Sequence, residues 1–263
     1  MIPSRPLVIA HRGASAHAPE HTLAAYDLAL ASPGDGVECD VRLTSDAELV
    51  CVHDRTADRT SSGTGVVSTS TLDQLREFDW GSWHPSGVGR QDLLTLRDLL
   101  ARLTAAQSDR IVCIETKHPS RFGALVERRL VEVLRDFGLT VGDLPGMPRV
   151  RVMSFSVTAL QRMHQLAPRI PLVQLLDHGT PRPTFRGALA PGIRIAGVGV
   201  DFVRRGPRTV QALQERGHQV YVWTVNDRDD FERCQDLGVD AVITDDPALL
   251  TSWRATSPHE RPQ

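Results

Sequence analysis

The 263-residue chain has only four cysteines, Cys39, Cys51, Cys113 and Cys234. Their separations match no zinc-type pair, and three of them stand in apolar, strand-like runs, so reduced core residues are expected rather than a disulfide framework. Long apolar runs are missing too. Nothing approaches the length that crosses a bilayer, and Leu7 to Ala10 is too short for the core of a signal peptide. A soluble, cytoplasmic protein without stable membrane insertion is the expectation. The chain also lacks blocks of like charge: 30 basic residues are interspersed among 32 acidic ones, for a net charge of -2. That leaves no basic stripe to track a phosphate backbone, and nucleic acid is set aside as a partner.

What is present is a hydrophobic content of 41%, enough for a real core, arranged as strands alternating with helices. Leu7 to Ala10 is a continuous apolar run, the pattern of a strand buried on both faces. Leu23, Tyr26 and Leu30 then recur at helical spacing until Ser32-Pro33-Gly34 stops them. Similar runs predict strands ending at His11, Asp40, Lys117, Phe155, Leu176, Asp201, Asn226 and Asp245. Amphipathic helices separate most of them; the clearest runs from Phe122 to Phe137. Eight strands alternating with helices in a chain of this length predict an α/β fold, a (β/α)₈ TIM barrel. Residues 1–253 are read as one barrel domain. The stretch from about 55 to 95 has no regular period beyond a short helix near Leu72 to Phe78, and is read as a small insertion after the second-strand hairpin. Gly179 to Gly192 predicts no element, and residues 254–263 are read as a disordered tail.

The second strand carries the chemistry. Val37, Cys39, Val41 and Leu43 alternate with Glu38, Asp40 and Arg42, so both acids face one way and Cys39 faces the packing behind. A turn centred near Asp46 folds the chain back and lays His53 opposite Cys39 and Asp40. Two acids so placed can pair with arginines of neighbouring elements, or hold a divalent cation through their oxygens. On this strand alone both readings stand. The barrel adds that active sites gather at the C-terminal ends of the strands. There lie His11 and Arg12, Glu38 and Asp40, Glu115 and Lys117, Ser154, Trp223, Thr224, Asn226 and Asp245. Glu38, Asp40 and Glu115 make an oxygen-rich set suited to Mg2+, Ca2+ or Mn2+ rather than zinc. Arg12 and Lys117 beside such an ion favour phosphate, and His11 and His53 would flank the phosphorus as proton donor and acceptor. This is a constellation for cleaving a phosphodiester.

In order and spacing the motifs resemble the glycerophosphodiester phosphodiesterase family from Leu7 to about Leu250. They are His11-Arg12-Gly13, Pro19-Glu20 with Thr22-Leu23-Ala24-Ala25, Glu38-x-Asp40-Val41 with Thr44 and Asp46, and His53-Asp54. They continue through Arg59-Thr60 and Gly65, Glu115-Thr116-Lys117, Ser154-Phe155, Trp223-Thr224-Val225-Asn226, Gly238-Val239-Asp240, and Thr244-Asp245 with Pro247. The resemblance implies a barrel enzyme that hydrolyses deacylated phospholipids, small molecules such as glycerophosphocholine or glycerophosphoethanolamine, to sn-glycerol 3-phosphate and an alcohol. It places the metal ligands on Glu38, Asp40 and Glu115, the acid/base pair on His11 and His53, the phosphate contacts on Arg12 and Lys117, and a wall for the glycerol on Trp223.

The pattern departs from the family at three places. His21 stands where asparagine is usual, and is read as a helix-start residue rather than a third titrating group. Ala47 replaces the usual glycine of the hairpin turn, implying another turn type and a shifted register for His53. Leu94 replaces a proline. Glu20 is read either as a partner of the metal site or of Arg12, or as helix-start charge; His17 and His84 are read as surface residues. Two rival functions remain: an enzyme releasing a cyclic phosphate, which needs an apolar rim that Phe78, Trp80 and Trp83 could supply, and a barrel that binds phosphodiesters without turnover. The alcohol, the ion and the oligomeric state are not legible.

Overall fold

The computed structural model describes residues 5–177, 179, 184 and 186–256. Eight parallel strands run β1 (Leu7–His11), β2 (Gly36–Leu43), β4 (Ile111–Thr116), β5 (Arg149–Ser154), β6 (Leu172–Leu176), β7 (Ile195–Gly199), β8 (Gln219–Trp223) and β9 (Ala241–Thr244). They pair in that order, and β1 pairs with both β2 and β9, which closes the barrel. A short antiparallel strand, β3 (Leu49–Cys51), extends β2 beyond the barrel wall. Helices α1 (Leu23–Ala31), α3 (Leu96–Ala105), α4 (Leu125–Asp136) and α5 (Val157–Leu166) cover one side of the barrel. The other side carries α6 (Val200–Arg204), α7 (Arg208–Glu215), α8 (Arg228–Asp236) and α9 (Pro247–Thr256). None is long and apolar enough to cross a membrane.

The two-residue period of a strand sorts side chains between two cores. Ile9, Ile111, Cys113, Met153, Val173, Leu175, Ile195, Tyr221, Ala241 and Ile243 fill the interior. Their neighbours, among them Ala10, Val37, Cys39, Val112 and Val152, pack outward against α1, α3 and α4. Glu38, Asp40, Glu115, His11 and Trp223 share the parity of the interior residues, so each arrives at the upper mouth rather than under a helix. The helices start where side chains can cap them. In α3 the Thr95 hydroxyl accepts from Asp98 N and the Asp98 carboxylate accepts from Thr95 N, while Leu96, Leu99, Leu100 and Leu103 are fully buried at the i, i+3, i+4, i+7 spacing. Burying each leucine contributes about 2 kcal/mol.

Several expectations change. Val200 to Arg204 is helical, so the strand expected to reach Asp201 stops at Gly199. Arg254 lies in α9, where it ion-pairs with Asp35; the helix reaches Thr256, and residues 257–263 lie outside the described residues, as do 180–183 and 185. The stretch from 55 to 95 holds α2 (Leu72–Arg76) and a small core of its own, formed by Ala57, Val67, Leu75, Trp80 and Leu93 against Val50 and Val52. Trp80 is therefore a core residue, its indole N–H donating to Leu75 O, and not part of an exposed rim. All four cysteines are buried and free.

Candidate active site

β2 and β4 pair in register with Asp40 beside Glu115 and Glu38 beside Cys113, so three carboxylates project from two adjacent strands. Their ligand oxygens all lie within 4.8 Å of one another, and all three side chains are buried. That donor set, oxygen only and concentrated in a small volume, fits a hard divalent cation. Burial, then the charge of Asp40, pushes Glu38 well above the usual carboxylate range and Glu115 up to about 7. Burial would raise Asp40 as well, but the hydrogen bond from His21 and the charges of Lys117 and Arg12 hold it well below that range.

Two cations close over these acids. Lys117 Nζ lies 2.8 Å from Asp40 Oδ1 and 2.8 Å from Glu115 Oε1. Arg12 occupies a left-handed backbone position, φ 58°, which turns its side chain back over β2. Its amide N–H donates to Glu38 Oε2 at 3.1 Å, and NH1 donates to Glu20 Oε1 at 2.9 Å. Nε approaches Asp40 Oδ2 at 3.1 Å as an ionic contact without hydrogen-bond geometry.

The two histidines stand alike. His11 Nδ1 lies 2.7 Å from Asp245 Oδ1, and His53 Nδ1 lies 2.8 Å from Asp54 Oδ1. Each carboxylate fixes an N–H on Nδ1 and leaves Nε2 for chemistry. Asp245 is itself held by Asn226 and by Ser15, and Asp54 by Arg59. Burial and the nearby positive charge of Lys117 lower His53 to about 4 against the opposing charge of Asp40. The hairpin places His53 where the turn at Asp46 predicted: Val41 pairs with Cys51, Arg42 with Val50 and Leu43 with Leu49, and Val52 N donates to Asp40 O. The register is not shifted by Ala47. The alanine takes the positive φ, 65°, that glycine would adopt.

Six of these residues, His11, Arg12, Glu38, His53, Glu115 and Lys117, line one side of a pocket of about 190 Å³. Met153, Phe155, Leu175, Trp223 and Ile243 line the other. Trp223 stands edge-on to Phe155, ring centroids 5.7 Å apart. Asp40 lies beneath the pocket, 1% exposed. Of the residues assigned to the site, all eight are brought to one place. Ser154 is not: its hydroxyl is buried and donates to Thr116 O behind the strand.

The pocket thus sets acids, bases and two His–Asp pairs against an apolar wall. The model of the glycerophosphoryl diester phosphodiesterase family matches residues 11–249. The chain belongs to that family. It is 44% identical over 259 residues to a probable glycerophosphodiester phosphodiesterase 1 of Mycobacterium tuberculosis, covering 96% of this chain and 94% of that one. It is 33% identical to a glycerophosphodiester phosphodiesterase of Bacillus subtilis, over 94% of this chain and 86% of the relative. Among solved structures, an Oleispira antarctica phosphodiesterase in complex with the product sn-glycerol-3-phosphate superposes with a TM-score of 0.83 at 27% identity, over 95% of this chain and 97% of that one. The protein is an enzyme, and its activity is that of a glycerophosphodiester phosphodiesterase.

In this family member His21, which directly precedes the N-cap Thr22, does more than start a helix. Its ring is buried, with Nε2 3.0 Å from Asp40 Oδ2 and Nδ1 3.0 Å from the Tyr26 hydroxyl. Burial lowers its pKa, and the ring bridges Asp40 to Tyr26, whose hydroxyl donates in turn to Glu38 O. It is neither a mouth residue nor a simple helix start; it takes the place of the family's asparagine and orients Asp40. Its φ of 61° is one asparagine tolerates well, the only local trace of that role. Glu20 proves to be a partner of Arg12, accepting also from both terminal nitrogens of Arg59 at 2.8 Å. Asp54 and Asp245 were legible as motif residues but not as holders of the histidines. His17 is exposed and bonded to Asp246, and His84 packs edge-on against Trp83.

Proposed function

We propose that this enzyme hydrolyses small glycerophosphodiesters, glycerophosphocholine and glycerophosphoethanolamine among them, to sn-glycerol 3-phosphate and the free alcohol. Glu38, Asp40 and Glu115 would hold one divalent cation, Mg2+ or Ca2+ with Mn2+ also suited. The observation that carries the reading is the convergence of both histidines on a pocket lined by Glu38, Glu115, Arg12 and Lys117, with the third clustered carboxylate, Asp40, beneath it. The product in the Oleispira structure supports the substrate class.

The bound ion would offset the charge that builds on the phosphoryl oxygens during transfer. The remaining steps belong to the chain. Lys117 spends two of its three N–H bonds on Asp40 and Glu115 and offers the third, with Arg12, to the phosphoryl group. His11 and His53, each with Nδ1 anchored, exchange protons through Nε2, one taking a proton from the attacking water and the other protonating the departing alkoxide. Trp223, Phe155 and Met153 pack on the glycerol carbons and keep bulk water from the reacting centre. With Trp80 in the core, Trp83 is the one large exposed aromatic of the 55–95 stretch, which disfavours a membrane-facing rim and with it the cyclic-phosphate reading. We take the barrel through α9, which ends at Thr256, as one cytoplasmic domain serving lipid and glycerol metabolism, with 55–95 as an insertion in it and no nucleic-acid partner.

The test is release of glycerol 3-phosphate from the two diesters after chelation, with each ion then restored singly. Restored turnover is expected to fall by about 10²- to 10⁴-fold in His11→Ala and in His53→Ala. Turnover that persists in both variants would exclude the histidine roles.

A further inference from the structure

Beside the catalytic pocket, on the far side of Lys117, lies a larger cleft of about 580 Å³ between the inserted segment and the loop after β4. Its chemistry is one-sided. Arg42, Arg55, Arg121, Lys117 and His118 line it, and among the described residues no carboxylate does. The three arginines also lack the ion-pair partners that other arginines near the mouth possess. Arg55 makes no side-chain hydrogen bond or ion pair with a described residue. Arg121 donates to Ser68 O at a long 3.3 Å and lies over the Phe122 ring. Arg42 gives Nε and NH2 to the His53 carbonyl, 2.9 and 2.7 Å away, and keeps NH1.

Elsewhere at the mouth, charges are matched. Arg12 and Arg59 are taken by Glu20, Asp40 and Asp54. A second cleft, about 430 Å³, has acids on its wall, but each is engaged: Asp245 by His11 and Asn226, Asp246 by His17, Glu20 by the two arginines. Setting half-buried Arg42 beside exposed Arg55 and Arg121, none of them ion-paired to a described residue, places like charges side by side at a cost in folding free energy. Such a cost is expected where a ligand supplies the missing charge.

We propose that this cleft is a subsite for a second anionic group, a phosphate carried by the alcohol part of the diester, so that the preferred substrates have an anionic rather than a cationic alcohol. The inference rests on the phosphodiesterase reading above and refines its substrate class. Lys117 lines both spaces, so the scissile phosphate held there leaves the alcohol free to extend over Arg42 toward Arg55 and Arg121. The hydroxyls of Ser68 and Ser120 stand on the same wall. The cleft volume lies within the range of ordinary small-molecule sites, about 300–1,000 Å³.

The test compares glycerophosphoglycerol with glycerophosphoglycerol phosphate, which differ only by the terminal phosphate, and includes glycerophosphocholine as the cationic case. In the native enzyme, kcat/KM is expected to be about tenfold or more higher for the phosphorylated diester, as befits one or two charge-assisted hydrogen bonds to exposed arginines. The advantage should sit in KM and shrink at high ionic strength. Arg55→Glu and Arg121→Glu, whose side chains are exposed, should erase it while leaving kcat/KM for glycerophosphoglycerol within about twofold. Equal kcat/KM for the two glycerol diesters, or a preference untouched by both variants, overturns the subsite. Free phosphate that suppresses both diesters equally, with no preference between them, assigns the cleft to a loose anion instead and also overturns it. Absence of turnover with all three diesters would sink the phosphodiesterase reading itself, a result distinct from either of those.

Discussion

His21 and His53 are both imidazoles near Asp40, and burial acts on both, yet they serve opposite ends. His21 is 5% exposed and has both nitrogens committed, so its contribution is geometric. Removing it in His21→Ala frees Asp40 Oδ2 and is expected to weaken divalent-ion affinity by about 10- to 100-fold, read by calorimetric titration. His21→Asn, which keeps a donor and suits the positive φ, should restore most of the loss; equal weakening by both variants would contradict the orienting role. His53 instead keeps a free nitrogen at the pocket. Its folded pKa, about 4, lies below the 6.5 of an ordinary histidine, so the unfolded chain binds the extra proton first. The group therefore costs stability as pH falls through 6.5 toward 4, and is neutral above about 5. NMR titration of the chelated protein should show the His53 ring unprotonated at pH 5.5; a midpoint near 6.5 would refute the burial argument.

At the scale of elements, the hairpin of β2 and β3 and the turn after β1 carry the site. The hairpin was legible because a period of two leaves few ways to pair Leu43 with Leu49, and Thr44 and Asp46 lock the turn by a 2.6 Å hydrogen bond. The expected register shift failed because Ala47 simply adopts the left-handed conformation, at about 1 kcal/mol, rather than rearranging the turn. Ala47→Gly should raise the unfolding free energy by up to about 1 kcal/mol in denaturant titration, with turnover unchanged. At the turn after β1, Gly13 has φ 86°, and a Cβ there would lie 2.7 Å from the Ala25 backbone in α1. Gly13→Ala is expected to destabilise by about 1–3 kcal/mol and to displace His11 and Arg12, lowering kcat more than the stability loss alone explains. An active, fully stable Gly13→Ala protein would show the turn to be slack.

Across the whole molecule, the barrel was legible because strand and helix periods repeat without conflict, and the acids, bases and histidines all fall at strand C-termini. What escaped was the outer layer of contacts: Asp245 reaching His11 from 234 positions away, Arg59 joining Arg12 on Glu20, and His21 behind Asp40. Those pairs depend on side-chain reach across the closed barrel, which periodicity does not encode. They also set the response to acid. Burial would raise Glu20, but Arg59 and Arg12 bring it down to about 2, and Asp54 and Asp245 are lowered as well. Depressed carboxylates stabilise above their unfolded pKa and lose that stabilisation as pH falls through the folded one. Thermal melts should therefore decline steeply below about pH 4.5, and Glu20→Gln should blunt the decline.

We propose that Glu38, Asp40 and Glu115 hold one ion that turnover requires. This is tested most directly by titrating the chelated enzyme with Mn2+ while counting bound ions and assaying glycerol 3-phosphate release in the same samples. Turnover rising in step with a single bound ion per chain, and lost together with that ion in Asp40→Asn, is the outcome expected here. Full turnover in rigorously chelated protein, or an ion retained undiminished in Asp40→Asn, would contradict it.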